Sequence, residues 1–581
     1  MENKKNITGK AFDFNIAGRI LSYAKPYRKI FFSCIILALI LSALNISRPL
    51  LIQYTINNYI LKDNLKMLQI MIASLVGIIL MEALLQLVNM YLTAVIGSNI
   101  VRDLRNQVFS HLLKMRNKYF DVTPVGTLVT RSVSDIENLG EVFSQGFIVI
   151  FGDIFTLLVF TSVMFFVDWK LTLIALTTVP ILIFATRIFK NGVKTTFQAV
   201  RNAVSALNTF VQEHISGMKI VQIFNREKTE HEKFKEINEV HKKANIKSIW
   251  YYSVFFPVVE ILSSISIGLI IWSGSFGIKA EPGTIVFFIM LINMFFRPIR
   301  MLADRLNTLQ MGMVACERVF KVLDTNETMS ESGNKSTEKI LGKIEFKNVW
   351  FAYNDEDWVL RDVSFEVRAG ETLAIVGSTG SGKSTIINLL GRFYEYNKGE
   401  ILFDDVNIRE YKLNDLRKKI GIVLQDVFLF SDSLEKNISM FNDEISKEKI
   451  IEGAEKIGAA DFIKNLPGHL QYNPGERGVT LSSGQRQIIS FLRVYVQSPS
   501  ILILDEATSN IDTETEILIQ KATDVLTENR TSIIIAHRLS TIKSANRILV
   551  IEKGELIESG KLTELIEKNG VFKKLYDLQF K

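Results

Sequence analysis

The sequence predicts two halves of different class: an all-α membrane-spanning half, then an α/β half built on parallel strands. Three observations carry this. Residues 30–301 contain repeated long apolar stretches, and ~20 such residues are what a spanning helix needs. From Leu341 onward, short apolar strands alternate with charged helices, the pattern of strands joined by helical crossovers. Within that half, residues 481–512 read LSSGQRQIISFLRVYVQSPSILILDEATSNID, which places a glycine-containing turn, a helix and an acid-tipped strand in one stretch. At 581 residues the chain is too long for a single core.

The formal net charge is +7, but Lys and Arg are spread between the apolar runs and form no single basic arm. Membrane topology therefore explains them better than nucleic acid does. Cys34 and Cys316 are far apart and show no ligand spacing, which indicates neither a disulfide framework nor a zinc site. The first fifteen residues, MENKKNITGKAFDFN, are polar and lack a signal peptide's apolar region, so the first spanning helix is expected to remain as an anchor. The Asn6-Ile7-Thr8 triplet matches a glycosylation sequon that needs a lumenal address, for which nothing argues.

Taken in order, residues 1–29 form a cytoplasmic segment and residues 30–323 the membrane domain. The first two spans are read at 30–54 and 67–96, with a turn from Asn57-Asn58 through Asp63-Asn64. Residues 99–138 are amphipathic and carry Arg102, Arg105, Lys114, Arg116, Lys118 and Arg131, which places them in the cytoplasm. The next pair, 143–167 and 171–188, is separated by Asp168-Trp169-Lys170, an outer connector whose Trp suits an interface. A second basic segment, 190–247, returns to the cytoplasm. Spans at 250–272 and 283–302 complete about six, joined outside by residues 274–282, so both termini face the cytoplasm.

Short outer connectors and long inner ones suit helices that extend past the bilayer and carry motion from a cytoplasmic partner domain. Residues 119–126 and 214–226 combine helix breakers with apolar side chains and are candidate contact points; an ordinary turn with a hydrophobic staple is the bland alternative. Glu82, Asp153 and Glu260 lie well inside their runs, and Arg297 lies beside Pro298 near an interface. Ionisable groups at such depth are functional candidates, unless they simply pair within the bundle. On the functional reading, acids facing a cavity favour cationic or amphipathic cargo. Residues 324–340 are polar, Ser/Thr-rich and aperiodic, a linker, and residues 341–581 form the nucleotide-binding domain.

In that domain, the apolar strand 372–376 runs into Gly377-Ser378-Thr379-Gly380-Ser381-Gly382-Lys383-Ser384-Thr385 and then a helix. Strand, glycine loop and helix in this order are the context a phosphate-binding loop demands. Backbone N–H groups and the helix N-terminus cradle phosphates, Lys383 reaches the β and γ phosphates, and Ser384 ligates Mg²⁺. Ile501-Leu502-Ile503-Leu504 reads as a strand buried on both faces. At its end Asp505 holds Mg²⁺ through its shell, and Glu506 is placed to polarise the attacking water as general base.

With these motifs in order, the chain resembles an ATP-binding-cassette exporter half-transporter over essentially its whole length. The resemblance implies an all-α six-helix transmembrane domain fused to a cassette with a RecA-like core and a helical subdomain. It implies that Tyr353 in Phe351-Ala352-Tyr353-Asn354 stacks on adenine, and that Gln425 contacts Mg²⁺ and water and senses the membrane domain. Residues 475–478 would touch the coupling loops, residues 509–512 would link the two sites of a dimer, and His537 would sense the γ-phosphate. Residues 481–485 match the signature, so that Ser482, Gly484 and Gln485 would contact ATP held by a partner cassette docked head to tail.

One departure is Ser483, where the family's signature has the first of two glycines. A side chain there would crowd the γ-phosphate or force a less favourable φ, unless it is tolerated variation. With the run Asp505 to Glu516, it resembles the catalytically intact subunit of bacterial heterodimeric multidrug exporters. The expectation is thus an ATP hydrolase using ATP and Mg²⁺ in a prokaryotic plasma membrane, paired with a second half-transporter. Its cargo would be small amphipathic or hydrophobic compounds. The alternatives are a homodimeric lipid or peptide exporter, or a regulatory protein on an exporter scaffold. A soluble ATPase lacks spanning helices, and an importer lacks the fusion.

Overall fold

A computed structural model describes residues 14–328, 333–336, 340–354, 356–505, 513–536 and 538–580. It divides into two compact units, one of Met1–Leu113 with Thr123–Asn326 and one of Lys114–Val122 with Glu327–Lys581.

The first unit is helical. After α1 (Phe14–Ser22) come α2 (Arg28–Thr55) and α3 (Leu65–Leu112). The helix α4 (Asn117–Val122) belongs to the second unit. The first unit continues with α5 (Val125–Ser132), α6 (Ser134–Glu141), α7 (Ile148–Val167), α8 (Trp169–Leu176), α9 (Val179–Ser216), α10 (Met218–Ile223), α11 (Glu227–Trp272) and α12 (Pro282–Leu323). Among the described residues, six helical segments are long and apolar enough to cross a membrane. At 1.5 Å per residue the 48 residues of α3 span about 72 Å, against a hydrocarbon core of roughly 30 Å. The 46 residues of α11 and the 42 of α12 likewise exceed what a bilayer needs. This is the geometry expected of helices that continue past the membrane. The segment read at 99–138 completes α3 and then breaks up, because Pro124 at the N-cap of α5 cannot continue a helix. The connector at Asp168 is a capped break. Extended backbone ends α7 there, and the carboxylate accepts from the Lys170 and Leu171 amides at 2.8 and 3.0 Å to start α8.

The core of this unit is aromatic. Phe189 stacks on Phe255 at 4.1 Å between α9 and α11, and Phe287, Phe288 and Phe296 of α12 are fully buried. Farther along α12, Arg318 donates to Asp135 of α6 at 2.6 Å, and the Asp135 side chain is 3% exposed. Its second oxygen finds no hydrogen-bond partner among the described residues.

In the second unit, β1 (Ile344–Ala352) and β2 (Trp358–Val367) precede β3 (Thr372–Val376) and α13 (Lys383–Leu390). Next come β4 (Lys398–Phe403), β5 (Val406–Asn407), α14 (Leu413–Lys418) and β6 (Ile420–Val423). A helical stretch follows: α15 (Leu434–Ser439), α16 (Lys447–Lys456), α17 (Ala460–Lys464) and α18 (Ser483–Gln497). The chain then forms β7 (Ile501–Asp505), α19 (Thr513–Thr527), β8 (Thr531–Ile535), α20 (Leu539–Ser544), β9 (Arg547–Glu552), β10 (Glu555–Gly560), α21 (Leu562–Glu567) and α22 (Val571–Phe580). The strands make two sheets, an antiparallel one ordered β2-β1-β4-β5 and a larger one ordered β10-β9-β3-β8-β7-β6. From β9 to β6 the larger sheet is parallel, and its strands are apolar on both faces because helices cover both. The linker read at 324–340 is partly ordered against this unit: the Arg116 amide donates to Glu327 O, and Lys335 N to Glu410 O, both at 2.9 Å.

Replacing Arg318 by Met leaves a carboxylate buried on α6. A fully buried pair so broken costs roughly 3–5 kcal/mol; because the Arg318 side chain is 46% exposed, about 2–3 kcal/mol is expected here. Thermal unfolding in detergent checks this, and the double variant Arg318→Met with Asp135→Leu recovers most of the loss.

Candidate active site

Parallel strands present their carboxyl ends on one edge of the sheet, where ligands of such sheets bind. Along that edge the order β3-β8-β7-β6 sets out the predicted site in sequence: the glycine loop after β3, Asp505 at the tip of β7, and Gln425 two residues after β6.

The loop is shaped by close backbone approach. A Cβ on Gly377 would come within 2.1 Å of the Ile551 carbonyl, and Gly382 has φ +105°, so neither position accepts a side chain without strain. Ser378, Thr379 and Gly380 are exposed on the crest, while Ser381 is buried with its hydroxyl unpartnered. Lys383 opens α13 and is 8% exposed. Its Nζ donates to the carbonyls of Gly377 and Ser378, both at 2.8 Å, which folds the loop around the ammonium. Burial lowers the Lys383 pKa, and the nearby Asp505 carboxylate pulls it back up. Burial raises the Asp505 pKa in turn, against the Lys383 charge and a hydrogen bond from Ser384. Both charges are thus held at a desolvation cost, a state that a phosphate and a cation relieve. The Ser384 hydroxyl is close enough to hold down the Asp505 pKa, and both groups are hard oxygen donors of the kind Mg²⁺ takes.

Tyr353 follows β1, and its hydroxyl lies 3.2 Å from Thr385 Oγ1 and accepts from Asn388 Nδ2 at 3.2 Å. The structure therefore brings the predicted adenine aromatic to the first turn of α13. Its ring meets Phe351 and Tyr394 edge-on, at 4.8 and 4.9 Å between centroids. Sequence reasoning singled out neither Asn388 nor Tyr394. Gln425 is exposed. Glu506, His537 and residues 509–512 lie outside the described residues.

Leu481 of the signature turn packs in a cluster built from α15–α19 that also takes in Val423 of β6, Leu502 and Leu504 of β7 and Ile534 of β8. Ser482 caps α18 reciprocally: its Oγ accepts from the Gln485 amide at 3.2 Å, and Gln485 Oε1 accepts from the Ser482 amide at 3.0 Å. Among the described residues, no hydrogen bond or ion pair joins this turn to Lys383 or Asp505. Ser483 is the first helical residue of α18 and is absent from the positive-φ positions. The backbone strain anticipated for it does not arise, because the helix supplies a φ that any residue adopts; Gly484 behind it is buried. Arg486 ties residues 475–478 to the helix through Leu481 O at 2.7 Å and Gly478 O at 3.3 Å. Arg493, also missed in the sequence, donates from α18 to Asn437 O at 2.7 Å and to Phe428 O at 2.8 Å. It holds the loop after Gln425, and burial lowers its pKa to about 10.

In the helical unit, Asp153 forms an ion pair with Arg305, and Glu260 one with Arg300 at 3.3 Å. Two of the three acids are matched within the chain, so they supply no free charge to attract a cation. Glu82 retains a buried oxygen without a partner. Of the two candidate contact loops, the first contains α4, and the second contains α10, where Ile220, Ile223 and Phe224 are exposed.

Residues 31–299 match the family described as ABC transporter transmembrane region, and residues 360–509 the family described as ABC transporter. The chain is 37% identical to "Probable multidrug resistance ABC transporter ATP-binding/permease protein YheH" of Bacillus subtilis, covering 87% of this chain and 76% of that one. It is 35% identical to "ATP-dependent lipid A-core flippase" of Syntrophus aciditrophicus, covering 98% and 95%. Among solved structures, a bacterial Atm1-family ABC exporter with ATP bound superposes with a TM-score of 0.78 at 25% identity, over 95% of this chain and 98% of that one.

Ser482→Ala removes the cap of α18 and is expected to destabilise by about 1 kcal/mol. Ser483→Gly is expected to leave the melting temperature unchanged or lower it, since a glycine in a helix costs up to ~1 kcal/mol. Thermal unfolding of the purified protein reads both, and a rise on Ser483→Gly would reveal strain that the backbone does not show.

Proposed function

We propose, from the premise that this chain belongs to the ABC transporter family as an exporter half-transporter, that it is one subunit of a heterodimeric exporter of small amphipathic or hydrophobic compounds in a plasma membrane. Its membership makes it a multi-pass membrane protein with an ATPase coupled to transport. The observation that carries the reading is the junction of Lys383, Ser384 and Asp505 on one sheet edge, in a chain that also supplies six membrane-crossing segments.

In this reading Tyr353 stacks on the adenine, and the amides of residues 377–382 and the N-terminus of α13 receive the phosphates. The Lys383 ammonium exchanges its two loop carbonyls for β and γ phosphate oxygens. Ser384, Gln425 and Asp505 would hold Mg²⁺, which when bound neutralises charge on the phosphates. Glu506 takes the proton of the attacking water, Gln425 orients that water, and His537 contacts the γ-phosphate. The capped turn Ser482–Gln485 closes on the nucleotide of the partner cassette, so each complete site takes its loop and acids from one chain and its signature from the other. Closure draws the cytoplasmic helix extensions together and opens the outer side; hydrolysis resets it. The cassette and both termini are placed in the cytoplasm.

Pairing of Asp153 and Glu260 with arginines removes the argument for cationic cargo, which favours amphipathic or hydrophobic compounds. The relative described as a multidrug resistance transporter supports the same class. The flippase relative favours a second reading, a homodimeric exporter of lipid.

Glu506→Gln, assembled with its partner subunit, is expected to lower ATPase activity at least ~100-fold, the scale of a lost general base, while nucleotide still binds. Near-normal turnover removes the assigned base. Expressed without its partner, the chain is expected to yield little ATPase; a stable homodimer with robust turnover favours the second reading.

A further inference from the structure

The cassette unit includes Lys114–Val122, a segment nine residues long that is remote in sequence from the rest of the unit. Its α4 meets the rest of the unit at Tyr394. The hydroxyl of Tyr394, four residues past α13, donates to the carboxylate of Asp121. The ring of the same Tyr394 stands edge-on to Tyr353 at 4.9 Å with planes 87° apart. Tyr353 in turn reaches Thr385 and Asn388 of α13 through its hydroxyl. At its other end the segment is fastened to residues just beyond α12. Arg116 donates its amide to Glu327 O at 2.9 Å and its Nε to Thr328 O at 3.1 Å. Contacts thus run without a break from the phosphate-binding helix through Tyr353, Tyr394 and Asp121 to the chain leaving α12. A cavity of about 170 Å³ beside this path, lined by Arg116, Lys118, Tyr353 and Tyr394, gives the rings room to shift.

We propose that Tyr394 is a positioning residue that braces the base-stacking Tyr353 with its ring and, through its hydroxyl, carries the ring's displacement by bound nucleotide to Asp121 and α4. This rests on the assignment of Tyr353 to the adenine. One physical feature favours transmission over simple packing: Asp121 is exposed, so its bond contributes little to folding. The ring and the hydroxyl have separate duties, and substitution separates them.

The test uses the full complex with its partner subunit in lipid nanodiscs. Lys118→Cys carries an environment-sensitive fluorophore; Cys34 and Cys316 are buried and compete poorly for the label. Adenylyl imidodiphosphate with Mg²⁺ is titrated, reading both its Kd and the probe's response. Asp121→Ala is expected to keep Kd within about twofold and to lose the response. Tyr394→Leu loses the response and also weakens Kd roughly 2- to 10-fold, the range of a lost edge-on aromatic pair. Tyr394→Phe, which keeps the ring, restores Kd but not the response. A full response in Asp121→Ala and Tyr394→Phe overturns the proposal, as does an unaltered Kd in Tyr394→Leu. Tyr353→Leu distinguishes the two levels: an unchanged Kd there withdraws the base-stacking assignment itself, whereas a weakened Kd with the probe response intact in Asp121→Ala overturns the transmission alone.

Discussion

Lys383 and Asp505 interact across the width of one strand, with β8 between the strands that carry them. The cassette keeps these two opposite charges close and at a desolvation cost. The parallel order of β3, β8, β7 and β6 brings the loop and the acid to one edge. Apolar strands exclude water, and glycines at 377 and 382 let the loop wrap the ammonium. Neither charge is comfortable, since burial pushes both groups towards their neutral forms. A site already desolvated and already charged can respond strongly to a nucleotide and a cation, because they bring opposite charge to groups that burial disfavours.

The second constraint is length. Helices of 48, 46 and 42 residues exceed a bilayer's need, so they carry structure from the membrane into water. The sequence made this legible because each helix joins an apolar stretch to a charged one; the internal prolines, Pro257 in α11 and Pro298 in α12, end neither helix. Where breakers occur, at Pro124 and Gly217, the chain forms the short helices α4, α5 and α10.

The phosphate loop was legible for a local reason: strand, glycines, lysine and helix are contiguous, and each residue's role depends on its immediate neighbours. Asp505 was legible from its place at the end of an apolar run. What stayed hidden was decided by distant partners. Nothing near Asp153 announces Arg305, and nothing near Glu260 announces Arg300, so the acids looked available when their charge is matched. Tyr394 and Asp121 are 273 positions apart. Arg493 reads as an ordinary helix cation until its carbonyl partners at 428 and 437 are known. The strain anticipated at Ser483 was misjudged because the sequence does not reveal that the residue already lies inside α18. Within the stretch 481–512 the turn caps α18, which packs in one cluster with Leu502 and Leu504 of β7, while Asp505 ends β7 at the sheet edge.

The central claim is that Ser384 and Asp505 complete a cation site only in company with nucleotide phosphates held by Lys383. Mn²⁺ in place of Mg²⁺ makes this directly observable by electron paramagnetic resonance of the purified complex. The account predicts Mn²⁺ bound in the presence of adenylyl imidodiphosphate and not in its absence. It also predicts that Asp505→Asn and Ser384→Ala each weaken that binding at least ~10-fold while the nucleotide alone still binds. Mn²⁺ binding equal in wild type and in both variants would contradict it.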